Sequence, residues 1–210
     1  MIRRILVGLG DVAYAASATK TAIDLARIHS AELTGISVLD PVRLRATGPT
    51  PIGGAHLAAE LREHRIEQAR KVIDEVDRQF ESTCGEAGID FCVEDPEGEP
   101  YQCIADHARY HDLIVCGLGH LFEHGVVEEP PAELVRLVQG GVRPLIAVTN
   151  EHRAIQRVLI AYSGSMESAK AMKRFAQLQL WPDVTVRIVT FEHRAERANE
   201  LLANAEEYCR

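Results

Sequence analysis

The stretch Ser163-Gly164-Ser165-Met166-Glu167-Ser168 sets three hydroxyls, a glycine and a carboxylate directly after the apolar run Val158 to Tyr162. A strand that ends in such a loop and feeds a helix offers free backbone N–H groups and the positive end of the helix dipole, which suits phosphate. The same residues also suit a plain helix start, with Ser165 as the capping hydroxyl and Glu167 in the first turn. Glu167 stands two residues after Ser165 rather than three, so this is not a strict capping box. Phosphate contact and bare capping both stay open from the residues alone.

A second candidate is "CGLGHLFEHGVVEEPPAELV", which carries Gly117, Gly119 and Gly125 after an apolar run. Glycines let backbone amides approach a phosphate where a Cβ would intervene. His120 and His124 lie four apart in this loop, near Glu123 and Glu128, and His107 and His111 repeat that spacing upstream. Spacing fixes no third ligand for a metal. The site expectation is therefore no metal beyond magnesium carried by a nucleotide. The cysteines Cys84, Cys92, Cys103, Cys116 and Cys209 are odd in number and form no CxxC pair, which predicts reduced thiols in a cytoplasm. Cys92 and Cys116 fall in apolar, strand-like runs and are expected to pack in the core.

The elements that would position these groups alternate. "RRILVGL" reads as a buried parallel strand, "DVAYAASATKTAIDLARIHS" as a helix, and "AELTGISVLDP" as a strand stopped by Pro41. Strand, helix and strand in so short a span form a right-handed βαβ unit. "PVRLRATGPTPIGG" reads as an aperiodic loop. A long amphipathic helix follows, with Leu57, Leu61, Ile66, Ala69, Val72, Ile73, Val76 and Phe80 as its stripe and Gly85 and Gly88 as its stop. "IDFCVED", "DLIVCGLG" and "RPLIAVT" are three more strands, separated by helices over "PYQCIADHARYH" and "PPAELVRLVQGG". Residues 1–150 are thus expected to form a doubly wound α/β domain on five parallel strands. Residues 151–156 read as a linker. The pattern then restarts over 157–210: "VLIAYSGSMESAKAMKRFAQLQLWPDVTVRIVTFEH" parallels the opening strand-helix-strand, and a helix follows. This is the β-α-β-α beginning of a second copy, which predicts that further sequence or a partner supplies its remaining strands.

The chain has 210 residues, net charge −8 and 46% hydrophobic residues. That acidic balance argues against nucleic acid as a partner. No run reaches the roughly 18 apolar residues of a membrane span. A cytoplasmic globular protein is expected.

The ordered set "RRILVGL", "LTGISVLDP", "EGEPYQCIADHARYHDLIVCGLG", "RPLIAVT" and "VLIAYSGSMESAKAMKRFA" resembles the universal stress protein family in its tandem, two-domain form. The resemblance implies an adenine-nucleotide α-hydrolase-like (Rossmann-like) fold and a stress-response role exerted through binding or regulation. It also implies ATP as the ligand. In the family's pattern an aspartate at the end of the first strand lies near the adenine. A backbone position after the second strand, here Val38, touches the base, and a G-x2-G-x9-G-[S/T] loop holds ribose and phosphates. Here Gly10 takes the aspartate's place with Asp11 one position late, and Ser163 takes it in the second copy. Gly117, Gly119 and Gly125 do not complete the loop pattern, and Pro130-Pro131 stand where its closing glycine would be, beside Glu128 and Glu129. Proline donates no N–H, and two acids repel a triphosphate.

These departures imply degenerate nucleotide sites in the first domain. The alternative is an ATP-binding member with slow hydrolysis or phosphotransfer, using Ser163, Ser165 or the glycine loop. A more distant one is an ATP pyrophosphatase-type adenylating enzyme, whose S-G-G-x-D-S loop the stretch matches at Ser163, Gly164 and Ser168. The resemblance further implies pairing through the fifth strand, Pro144 to Thr149, either in a homodimer or between the two domains, together with an unidentified protein partner.

Overall fold

The computed structural model describes residues 2–10, 12–46, 55–118, 132–141 and 143–209. Contacts divide the chain into two units, residues 2–152 and 153–210.

The first unit alternates β1 (Arg4–Gly8), α1 (Val12–His29), β2 (Glu32–Ile36), α2 (Pro41–Arg45), α3 (Ala55–Ala87), β3 (Phe91–Glu94), α4 (Pro100–Ala108), β4 (Leu113–Gly117), α5 (Ala132–Gly140) and β5 (Leu145–Val148). Its strands form one five-stranded sheet in the order β3-β2-β1-β4-β5, and every pairing is parallel. The expected doubly wound sheet is therefore present. β1 and β4 are apolar on both faces because helices cover both. On one face Leu6, Ile36, Val38, Ile114 and Cys116 pack with Ile104 and Ala108 of α4 and Leu137 of α5. On the other, α1 lies against β4 and α3.

α1 is buried around much of its circumference, including Thr19 and Thr21. Their hydroxyls donate to the carbonyls of Ala15 and Ser17 one turn back, at 2.8 and 2.9 Å, so polar side chains are tolerated there. β1 and β4, neighbours in space, pair Ile5 with Leu113. Asp112, just before β4, accepts from the N–H groups of Arg3 and Arg4 at 2.8 and 3.2 Å, fastening the starts of the two strands together.

Four local expectations are corrected. The stretch after Pro41 is not all loop: Pro41–Arg45 is a short helix, because Asp40 caps it by accepting from Val42 and Arg43 N–H and Pro41 occupies the first turn. The stripe of α3 is buried only from Ala69 onward; Leu57 and Leu61 are exposed. Gly85 lies inside α3, and Gly88 at φ +66° alone supplies its stop. Cys116 is buried as expected, but Cys92 is exposed, because β3 is an edge strand and Cys92 lines an open groove there.

The second unit contains β6 (Arg157–Ala161), α6 (Met166–Leu178), β7 (Thr185–Val189) and α7 (Ala195–Cys209). β6 and β7 pair in parallel from Arg157↔Thr185 to Ala161↔Val189. Ile160, Met172 and Ala205 are its buried centre, with Val158, Tyr162, Phe175 and Ile188 packed around them. Leu159 points from the opposite sheet face and is 66% exposed. Among the described residues no helix is long and apolar enough to cross a membrane.

Candidate functional site

In an open parallel sheet, ligands bind outside the carboxyl ends of the strands where the strand order reverses. In the first unit that point lies between β1 and β4. Gly10 follows β1 and is buried; Val38 follows β2 and is fully buried, its side chain in the α4–α5 core, so only its backbone could meet a ligand. Gly117 ends β4. Asp11, Gly119 and Gly125, with His120, His124, Glu128, Glu129, Pro130 and Pro131, lie outside the described residues.

The reason for glycine at 117 is a neighbour. A Cβ added there would fall on the Cβ of Tyr14 and 2.8 Å from its Cγ. Tyr14, in the first turns of α1, thus packs directly against Gly117, so close helix–strand packing by itself requires glycine there.

Sequence reasoning missed a second feature beside this point. Ser37, fully buried after β2, donates from Oγ to Asp77 Oδ1 on α3 at 2.6 Å. Asp77 falls four residues after Ile73 and three before Phe80, so its place on the apolar stripe was visible in the spacing. Burial pushes the Asp77 carboxyl above its usual range; the Ser37 hydrogen bond opposes this, and Asp95, Glu81 and Asp74 add to the rise. A raised carboxyl favours the fold most below its unfolded value, and that contribution is lost as pH rises through the folded value. Asp77→Asn, which keeps an acceptor for Ser37, should therefore gain stability relative to the native protein at pH 7 but not at pH 3, as thermal melts at the two values would read.

In the second unit the corresponding position is an open pocket of about 310 Å³ at the ends of β6 and β7. Ala161, Tyr162, Ser163, Thr190, Phe191 and Glu192 line it. Phe191 is 89% exposed, and the buried Thr190 Oγ1 has no hydrogen-bond partner among the described residues.

The loop from Ser163 to Ser168 is closed upon itself. Ser165 caps α6, its Oγ accepting from Ser168 N–H at 3.2 Å. Ser168 Oγ donates to the Ser165 carbonyl at 3.0 Å, and the Ser163 and Ser168 hydroxyls lie 3.2 Å apart. Gly164 holds φ at +79°, so the backbone there favours glycine; a Cβ would also press on the tip of Leu201 of α7, at 2.8 Å. The Glu167 carboxyl is held below its usual value by its own backbone N–H and by Ser165. Ser165→Ala should cost the second unit about 1 kcal/mol. The fluorescence of the single tryptophan, Trp181, reports on that unit during urea unfolding.

The family model described as the universal stress protein family matches residues 1–133. The chain belongs to the universal stress protein family. The sheet order and this match agree on the first unit of this universal stress protein. No curated protein matches the chain. Among solved structures, it is similar to a universal stress protein from Archaeoglobus fulgidus at 16% identity, covering 97% of this chain and 71% of that one with a TM-score of 0.54. It is also similar to the universal stress protein UspA from Lactobacillus plantarum, at 21% identity over 70% of this chain and 97% of that one, TM-score 0.45. A universal stress protein solved in complex with cAMP is similar at 16% identity over 71% and 98% of the two chains, TM-score 0.41.

Proposed function

We propose that this universal stress protein acts in a stress response by binding or regulation, in the cytoplasm, with a degenerate nucleotide position in its first unit. Tyr14 packed against Gly117 is the observation that carries this reading. Two others support it: Gly10 replaces the family's aspartate, and Ser37, bonded to Asp77, is fully buried where a substrate cannot reach it. Residues 157–210 are read as the start of a second copy of the domain. β5, at the edge of the sheet, is the proposed surface for self-pairing or for pairing between the two copies, since an edge strand offers unpaired backbone groups.

The second unit carries a second reading. Its pocket, at the ends of two parallel strands, is lined by the aromatic residues Tyr162 and Phe191 and by Thr190, whose Oγ1 has no partner among the described residues, a lining that suits a planar base. On this reading the unit binds a nucleotide although Ser163 stands where an aspartate is expected.

Calorimetric titration of the chain with Mg-ATP and with cAMP separates the two. Absence of heat at millimolar ligand is the result expected of a wholly degenerate protein. Heat that disappears in Phe191→Ala places the nucleotide in the second unit. Heat unchanged by Phe191→Ala would overturn the degenerate reading of the first unit.

A further inference from the structure

We propose that Cys92, Thr34 and His111 form a proton relay that makes Cys92 a modification site for small uncharged hydroperoxides, opening on the groove beside β3.

The three side chains come from β3, β2 and the turn after α4. Thr34 and Cys92 are register partners across the β2–β3 ladder and lie on one face. Thr34 Oγ1 is 2.9 Å from His111 Nε2 and 3.4 Å from Cys92 Sγ. His111 Nδ1 is 2.7 Å from the carbonyl of His107. That carbonyl can only accept, so Nδ1 carries a proton and in the neutral ring Nε2 is bare. Thr34 must then donate to His111, and its oxygen is free to accept from the Cys92 thiol. The chain of donors has one direction, set by a backbone carbonyl.

The same chain can invert as a unit. When the thiol proton moves to Thr34 Oγ1, the Thr34 hydroxyl proton moves to Nε2. The imidazolium then donates at both nitrogens, and Thr34 donates to the thiolate. No group is left unmatched in either state. Burial holds the His111 ring below its ordinary value, the hydrogen bond to the His107 carbonyl opposing this, with the charges of Arg4 and His107 adding to the fall and Glu32 countering it; the neutral ring is therefore the resting form, and the inverted, imidazolium state is the minor one.

Cys92 is the exposed member of the five cysteines. By contrast, burial pushes the Cys84 and Cys116 thiols up to about 12, and raises those of Cys103 and Cys209. The relay borders an open groove of about 360 Å³. Its charged and titratable lining is Arg4, Glu32, Asp90, Glu94, His107 and Tyr110, with Arg4 ion-paired to Glu32. The remaining carboxylates repel anionic thiols and disulfides, which leaves an uncharged oxidant as the fitting class. In the reaction sulfur attacks the nearer peroxide oxygen and the O–O bond breaks with its electron pair leaving on the far oxygen. That oxygen takes a proton back from the relay through Thr34. The products are Cys92 sulfenic acid and an alcohol, or water from hydrogen peroxide; sulfur loses two electrons and the peroxide gains them.

The test follows Cys92 by peptide mass spectrometry in the full chain, with hydrogen peroxide and iodoacetamide as probes across pH 5–9. Thr34→Val keeps the β-branched shape and removes the hydroxyl; Thr34→Ser keeps the hydroxyl. The native chain and Thr34→Ser should react about tenfold or more faster at pH 7 than Thr34→Val. The pH midpoint of their rates should also be lower. Equal rates and midpoints in native and Thr34→Val chains, or loss of reactivity in Thr34→Ser, would overturn the relay.

Discussion

Phe80→Ala should lower the stability of the first unit by about 3–5 kcal/mol, the range for truncating a buried aromatic. Phe80 is 1% exposed and is the largest fully buried side chain among the described residues. Its ring meets Phe91 of β3 edge to face, with centroids 5.9 Å apart and planes at 89°. The floor beneath it is Gly35, where an added Cβ would lie 2.9 Å from the ring. Leu9 closes on the same spot, so truncation opens a cavity walled by a helix, two strands and a strand end, none of which can collapse easily. Urea unfolding followed by circular dichroism gives the number. Leu57→Ala, on the same helix but 72% exposed, is the control and should change stability by no more than about 0.5 kcal/mol. A comparable loss in both would show that helix propensity, not the cavity, dominates.

Gly117→Val should cost about 1–3 kcal/mol through overpacking, seen as a fall of several degrees in Tm. The added Cβ meets the Cβ and Cγ of Tyr14, next to the helix backbone rather than at the tip of a flexible side chain. Tyr14→Ala leaves the Tyr14 Cβ in place and should not restore the loss. A nucleotide-binding defect in Gly117→Val would therefore report a displaced α1, and the phosphate question is better put through Phe191→Ala. Full native stability in Gly117→Val would refute the packing account.

These two residues also show which parts of the protein could be read from the sequence. The strands and long helices follow from local periodicity, and the apolar runs at 4–8 and 113–117 lie at the centre of the sheet. The α2 helix escaped because five residues hold too little periodicity; only the cap and proline at Asp40-Pro41 signalled it. Cys92 was misplaced because an apolar run does not say whether its strand is central or at an edge. The purpose of Gly117 was hidden for the same reason at longer range: what forbids a side chain there is Tyr14, more than a hundred residues earlier. Ser165 was legible as a cap because its partner, Ser168, is three residues away. Reading failed wherever a residue's surroundings came from far along the chain, and locally where an element was too short to show a period.

The pairing of Ile5 with Leu113 has a consequence for how the chain is made. Of the strands of this sheet the central one leaves the ribosome first, and one of its two neighbours follows more than a hundred residues later. At about 5–20 residues per second, β1 waits roughly 5–20 s for β4. Throughout that interval β1, joined first by β2 and only late by β3, carries an unsatisfied backbone edge at what will become the middle of the sheet. The carboxylate of Asp112, arriving one residue ahead of β4 and grasping the first amides of β1, is placed to seat the late strand in register as it emerges.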